Sequence, residues 1–206
     1  MKQLPDHLIK ICGLTQVQDA VFAIEHGANS VGFIFAPSLR QVTLEQARLL
    51  SSATSSTLRV GVMKDLPESE IVRIFNTVEL DAVQLHDTPT PKILQEIKER
   101  DLLAFAVSHR GTSNSESFKG LDALLLDNPS PGSGEINDFH SFGSLDLPLP
   151  LIFAGGLNPL NVGDVIRTFH PYGVDVSSGV ESAPGIKDLD KVSAFITTAQ
   201  RAFEEQ

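Results

Sequence analysis

Cys12 and Asp127 are the residues of this 206-residue chain best placed for proton transfer. Cys12 closes the first apolar run of the sequence, and Asp127 closes the run Leu124-Leu125-Leu126. A thiolate that takes a proton and a carboxylic acid that gives one could serve as base and acid on one small substrate. Each residue also has a plainer use, Cys12 as a small buried hydrophobe and Asp127 as the cap of the next loop. Two glycine turns point to an anion. Ala154-Gly155-Gly156-Leu157-Asn158 and Val176-Ser177-Ser178-Gly179 both follow apolar runs. Glycine lets the backbone approach a ligand, and consecutive free N–H groups form an anion nest, although the same residues also make tight turns. Arg40, on the loop Ser38-Leu39-Arg40, could clamp a carboxylate with two parallel hydrogen bonds or stand as a solvated surface arginine. Of six scattered histidines only His86 ends an apolar run, which suits a hydrogen-bonded structural histidine better than a metal ligand. No metal is expected.

These residues must be positioned by something, and the apolar pattern says what. Runs at 8–13, 30–36, 58–64, 82–86, 102–108, 123–127, 149–155 and 173–178 are rich in Val, Ile, Leu and Phe, several on both faces, as in buried parallel strands. Helical segments alternate with them. Thr15 is an expected N-cap ahead of Val17, Ala20, Val21 and Ile24. Thr43 with Gln46 three places on has the pattern of a capping box. Further helices are expected to open at Pro67, Thr90 and Asn158-Pro159, and at Asp188, which precedes the stripe Leu189, Val192, Ile196, Ala199 and Phe203.

Strand–helix alternation of this kind predicts an α/β fold, a single (β/α)8 TIM barrel over 1–206 with eight parallel strands. Units of about 26 residues are tight but feasible. The segments 112–120 and 138–145 are short and polar, so the fifth and sixth helices are expected to be single turns. An open doubly wound sheet would show a glycine-rich dinucleotide turn after the first strand, and Lys10-Ile11-Cys12-Gly13-Leu14-Thr15 is not one. In a barrel, function gathers at the C-terminal strand ends, and phosphate sites form after strands seven and eight, where the two glycine turns fall. A small phosphorylated molecule is the expected partner.

Composition narrows the alternatives. With 26 acidic against 16 basic residues and a net charge of -10, the chain lacks the cationic excess of a nucleic-acid binder. One cysteine forms no intrachain disulfide and no thiolate-rich metal site. No apolar stretch is long enough for a membrane span, and the N-terminus has no secretory h-region, so a cytoplasmic setting is expected. Nothing in the sequence specifies a protein partner or an oligomeric state.

The motifs Lys10-Ile11-Cys12-Gly13, Val31-Gly32-Phe33-Ile34-Phe35 leading to Ser38-x-Arg40, Val83-Gln84-Leu85-His86, Leu125-Leu126-Asp127, Ala154-Gly155-Gly156-Leu157-Asn158-Pro159 and Gly173-Val174-Asp175-Val176-Ser177-Ser178-Gly179-Val180-Glu181 recur together. In this order the chain resembles the phosphoribosylanthranilate isomerase family of tryptophan biosynthesis. That resemblance implies Asp127 as the general acid that opens the furanose ring and Cys12 as the general base at C2′. It also implies Arg40 facing the anthranilate carboxylate, Gln84, His86 and Asp175 contacting substrate, and a phosphate cradle of Gly155, Gly156, Ser177, Ser178 and Gly179. The rearrangement is redox-neutral, so the resemblance implies no cofactor. Such a mechanism asks for a raised Asp127 pKa and a lowered Cys12 pKa.

Departures from the family pattern are local. The loop from Phe35 to Arg40 is one residue short, Asp65 stands for an asparagine, and Asp87 stands for a glycine. After Gly132-Ser133-Gly134, Glu135 stands where lysine is typical, and Phe139 follows Asp138 where a tryptophan is usual. The related two-phosphate isomerase of histidine synthesis is disfavoured, because its base at this strand end is an aspartate and because Lys64-Asp65 and His86-Asp87 form no second nest. A barrel that binds a phosphorylated metabolite without turnover is the non-enzymatic alternative.

Overall fold

Residues 3–108, 119–127 and 149–206 are described by the computed structural model. The eight apolar runs form β1 (Leu8–Cys12), β2 (Ser30–Ile34), β3 (Leu58–Met63), β4 (Ala82–Leu85), β5 (Leu103–Ser108), β6 (Ala123–Asp127), β7 (Leu151–Ala154) and β8 (Gly173–Val176). Each pairs in parallel with the next, and β1 pairs with β8 as well as β2, so the sheet closes into a barrel. Closure leaves no edge strand, and side chains then alternate between the barrel interior and the helical layer.

The buried apolar residues divide accordingly. Leu8, Val60, Ala82, Phe105, Ala123, Leu125 and Ile152 form one cluster. Ile9, Ile11, Val31, Phe33, Val83, Leu124, Leu126 and Val174, from the alternate strand positions, pack in a second cluster with helical residues such as Ala20, Ile74, Ile97, Val165 and Phe195. The helices are α1 (Val17–Glu25), α2 (Leu44–Ala53), α3 (Glu68–Thr77), α4 (Pro91–Glu99), α5 (Val162–Phe169) and α6 (Leu189–Glu204). The capping box at Thr43 and Gln46 is present, Thr90 and Asp188 cap α4 and α6 through their side chains, and α3 begins just after Pro67.

Two helix starts differ from expectation. Gln16, not Thr15, is the N-cap of α1, because the Thr15 hydroxyl is spent on Gly185 O at 2.6 Å. The helix after β7 begins at Val162 rather than Asn158-Pro159, because Asn158 and Asn161 bond each other in a local turn. All but the last two residues of the expected short helix at 112–120, the one at 138–145, and the positions Gly132, Ser133, Gly134, Glu135, Asp138 and Phe139 lie outside the described residues.

A polar device recurs at the N-terminal end of the barrel. Asn29, Asp81 and Asp122, each just ahead of an even strand, accept from the Ile9, Arg59 and Ala104 N–H of the preceding odd strand at 2.8, 3.0 and 2.8 Å. Asp81 also takes Nε and Nη2 of Arg59, at 2.7 and 3.1 Å. These bonds fix strand register at the end that carries stability, leaving the opposite end for chemistry.

Candidate active site

At the C-terminal end of the strands a single cavity is lined by Cys12, Arg40, Gln84, His86, Asp127, Gly155, Gly156, Asp175, Ser177, Ser178 and Gly179. Every candidate site residue of the sequence therefore reaches one space. Parallel strands make this possible, because all eight runs end at the same rim. Cys12 and Asp127 end β1 and β6, which are separated by β7 and β8, so thiol and carboxyl face the cavity from different sides.

The first of the two glycine turns has a left-handed backbone that favours glycine. Gly155 and Gly156 have consecutive positive φ values of 81° and 73°. Asn161 Nδ2 donates to Gly156 O at 3.0 Å and pins this loop to the start of α5. After β8, Ser177 leads into a single 3-10 turn, Ser178–Val180. Gly179 is packed so close to the first turn that a Cβ would lie 1.8 Å from Leu157 O, so the two turns touch backbone to backbone. The Ser177 hydroxyl is buried and has no hydrogen-bond partner among the described residues.

Arg40 arrives on the shortened loop after β2. That loop is held by Val42 N donating to Ile34 O at 2.9 Å and by Gln41 Nε2 donating to Phe35 O at 3.0 Å. One residue fewer does not keep Arg40 out of the cavity. Its guanidinium is not free, however. Nε and Nη2 donate to the two oxygens of Glu181, at 2.8 and 2.7 Å. These bonds hold the Arg40 pKa above its ordinary value. Glu181 opens the hairpin of β9 (Glu181–Ala183) and β10 (Ile186–Lys187) and also accepts from Lys187 Nζ at 3.0 Å. Lys187 Nζ donates in turn to Ser177 O at 3.0 Å, with its side chain wholly enclosed. A chain of charges thus joins the arginine on one side of the cavity to the turn after β8.

Burial would push the Glu181 carboxyl up, but Arg40 and Lys187 hold it below the ordinary range. Because the folded pKa is depressed, this contribution is present above the unfolded pKa and is lost as the pH falls through the folded one. Glu181→Gln leaves the enclosed Lys187 without its counter-charge and loosens Arg40. A loss of about 2 kcal/mol is expected, with a Tm lower by roughly 5 °C and a several-fold higher KM. Calorimetry and steady-state kinetics read these effects, and an unchanged Tm would show that Lys187 does not depend on the carboxylate.

One expectation is reversed. The Cys12 thiol is pushed up, not down: it is buried, and burial outweighs the pull of Lys10 toward the thiolate, while Asp175 adds to the rise. Lys10, Glu181 and Lys187 are the groups that the sequence reading left without a role. A signal for Lys10 was available, since it shares the inward phase of β1 with Leu8 and Cys12. For Lys187 there was none, because its proximity to Ser177 is created by the hairpin. Asp87, one of the departures, accepts through Oδ2 from the backbone N–H of Asp65 at 2.8 Å, where the chain is left-handed at φ 54°.

Among the described residues no helix is long and apolar enough to cross a membrane. The model of the N-(5′-phosphoribosyl)anthranilate isomerase family matches residues 9–198. The isomerase of Thermotoga maritima is 40% identical, with 93% of this chain and 98% of that protein covered. That of Listeria welshimeri is 39% identical over 94% and 98%. The crystal structure of phosphoribosyl anthranilate isomerase from Thermus thermophilus superposes with a TM-score of 0.81 at 33% identity, covering 94% of this chain and 98% of that one. A second solved isomerase, complexed with reduced 1-(o-carboxyphenylamino)-1-deoxyribulose 5-phosphate, gives a TM-score of 0.76 at 36% identity, covering 95% and 99%. A closed parallel barrel, a cavity rimmed by the matching motifs and relatives of this similarity over nearly the whole length agree: the chain belongs to the N-(5′-phosphoribosyl)anthranilate isomerase family.

Proposed function

We propose that the chain isomerises N-(5′-phosphoribosyl)anthranilate to 1-(2-carboxyphenylamino)-1-deoxy-D-ribulose 5-phosphate, an Amadori rearrangement of tryptophan biosynthesis. The observation that carries this reading is the meeting of a thiol, a carboxyl, a guanidinium and two anion-binding turns on one cavity. The turns at Gly155-Gly156 and Ser177-Ser178-Gly179 take the phosphate, with the unpartnered Ser177 hydroxyl a ready donor. Arg40 takes the substrate carboxylate through Nη1, the nitrogen that its bonds to Glu181 do not use. Asp175, Gln84 and His86 line the space between.

Asp127 gives a proton to the furanose ring oxygen, the C1′–O bond breaks, and the anilino nitrogen becomes a protonated Schiff base. Cys12 takes the proton from C2′, and the electron pair released forms the C1′=C2′ bond of the enolamine. Protonation at C1′ and loss of the enol proton give the ketone. Protons gained at the ring oxygen and C1′ balance those lost from C2′ and the enol. Electrons stay within the substrate throughout. The thiol must be deprotonated to act, so with its pKa raised the turnover should climb as the pH rises toward it.

Phosphoribosylanthranilate generated in situ and followed by loss of its fluorescence tests the reading. A decay proportional to protein concentration is expected. No rate above background from folded protein would overturn it and leave a binding protein.

A further inference from the structure

Barrel interiors are layers of branched apolar side chains, yet one level of this barrel is ionic. Lys10, Gln84 and Asp175 are buried together at the cavity floor, which Gln84 and Asp175 line. Lys10 is fully enclosed, and its Nζ donates to Asp175 Oδ1 at 3.0 Å and Gln84 Oε1 at 3.1 Å. Lys10 and Asp175 are register partners on neighbouring strands, so the pair is fixed by the sheet itself. A buried ion pair adds little to stability over well-packed apolar residues, because desolvation cancels most of the attraction. The layer therefore calls for a use other than packing.

Its neighbour on β1 supplies one. Two of the three Lys10 donors are spent on Asp175 and Gln84, and the ammonium also acts on the Cys12 sulfur, two residues along the same inward face of β1. Gly32 on β2 makes the room: a Cβ there would stand 2.7 Å from Cys12 Sγ and 3.1 Å from Lys10 Nζ. Sulfur and ammonium thus converge on a gap that no other residue would leave open.

We infer that Lys10 is the positioning residue of Cys12, aiming its sulfur into the cavity and carrying the counter-charge of its thiolate, with Asp175 and Gln84 as the anchors that keep the ammonium in place. Burial pulls the lysine toward its neutral form, but Asp175 and Cys12 outweigh that pull and keep it charged. Other charges act on the sulfur as well: Asp175 from β8 opposes the thiolate, Lys187 from β10 favours it, and Arg40 interacts with it from the loop after β2. His86 and Asp127 face the same cavity from β4 and β6. Lys10 is the one that couples most strongly to the sulfur.

The inference rests on the proposed role of Cys12, and its test can be read without that role. Cys12 is the single cysteine, so thiolate absorbance at 240 nm, referenced to Cys12→Ser, titrates one group. The single tyrosine does not intrude, since burial pushes Tyr172 up to about 12. Lys10→Met is expected to move the Cys12 titration upward by about one unit or more, and to slow iodoacetamide alkylation at pH 8 in proportion. Because Lys10→Met strands Asp175, Lys10→Met/Asp175→Asn removes both charges together, and its thiol is also expected to titrate above that of Asp175→Asn. Turnover of Lys10→Met at neutral pH should fall roughly tenfold or more and recover as the pH rises, one unit being one decade of thiolate. An unmoved titration in Lys10→Met and in the double variant overturns the inference. A moved titration without a matching shift of the rate profile upholds Lys10 and removes Cys12 as the base.

Discussion

Cys12→Ser and Asp127→Asn are each expected to lower kcat by about 10²–10⁴ while leaving the affinity for the product nearly unchanged. The two sit at the ends of β1 and β6 on one cavity, and each substitution removes one proton-transfer group without altering shape. Serine keeps the size of the cysteine but hardly ionises at neutral pH, and asparagine keeps the outline of the aspartate but has no acidic proton. The phosphate turns and Arg40 are untouched, so binding survives. The pH profile separates the two variants. In the unaltered chain the buried Cys12 thiol is expected to make turnover rise with pH, and in Cys12→Ser that limb should disappear. Steady-state rates with a product-binding titration check both points. A near-normal rate for either variant would remove that residue from the mechanism.

The second large effect is expected at Gly179. No side chain fits there, since a Cβ would meet Leu157 O at 1.8 Å and Leu157 C at 2.9 Å. Those are backbone atoms, so relief requires the turn after β8 to move away from the turn after β7. Gly179→Ala should therefore cost about 4 kcal/mol or more and lower Tm by roughly 8–16 °C. The same separation opens the phosphate cradle. KM should rise roughly tenfold or more, the worth of one hydrogen bond to a charged group. Thermal unfolding and KM measured on the same preparation test the coupling. A KM that stays put while Tm falls would show that the turn only supports the fold.

The barrel was legible because its signal is local and repeated. Short Val-, Ile- and Leu-rich runs alternated with helical stripes, and the strand at 123–127 needed no adjustment at either end. Capping at Thr43 and Thr90 was equally legible, since it depends on residues three apart. Thr15 was misread as a helix start because its hydroxyl is claimed by Gly185, 170 residues away, and Asn158-Pro159 because the Asn158 N–H is taken by Asn161 in a turn that delays the helix to Val162. The candidate site was legible as a set of strand ends. The groups that surround those ends were not. Arg40 read as a carboxylate clamp or a solvated surface arginine, and in the fold it is a partner of Glu181, 141 residues away along the chain.

The residue types at the strand ends were determined by the sequence alone, because a parallel barrel brings every C-terminal end to one rim whatever the loops do. Their electrostatics were decided only in the tertiary structure. Cys12 entered as a thiol to be activated and is instead raised by burial, since desolvation depends on what encloses the sulfur and not on its neighbours in sequence. Lys10, two residues before it, meets Asp175 only because β1 and β8 close the barrel, and the ion pair at the cavity floor exists only after that closure.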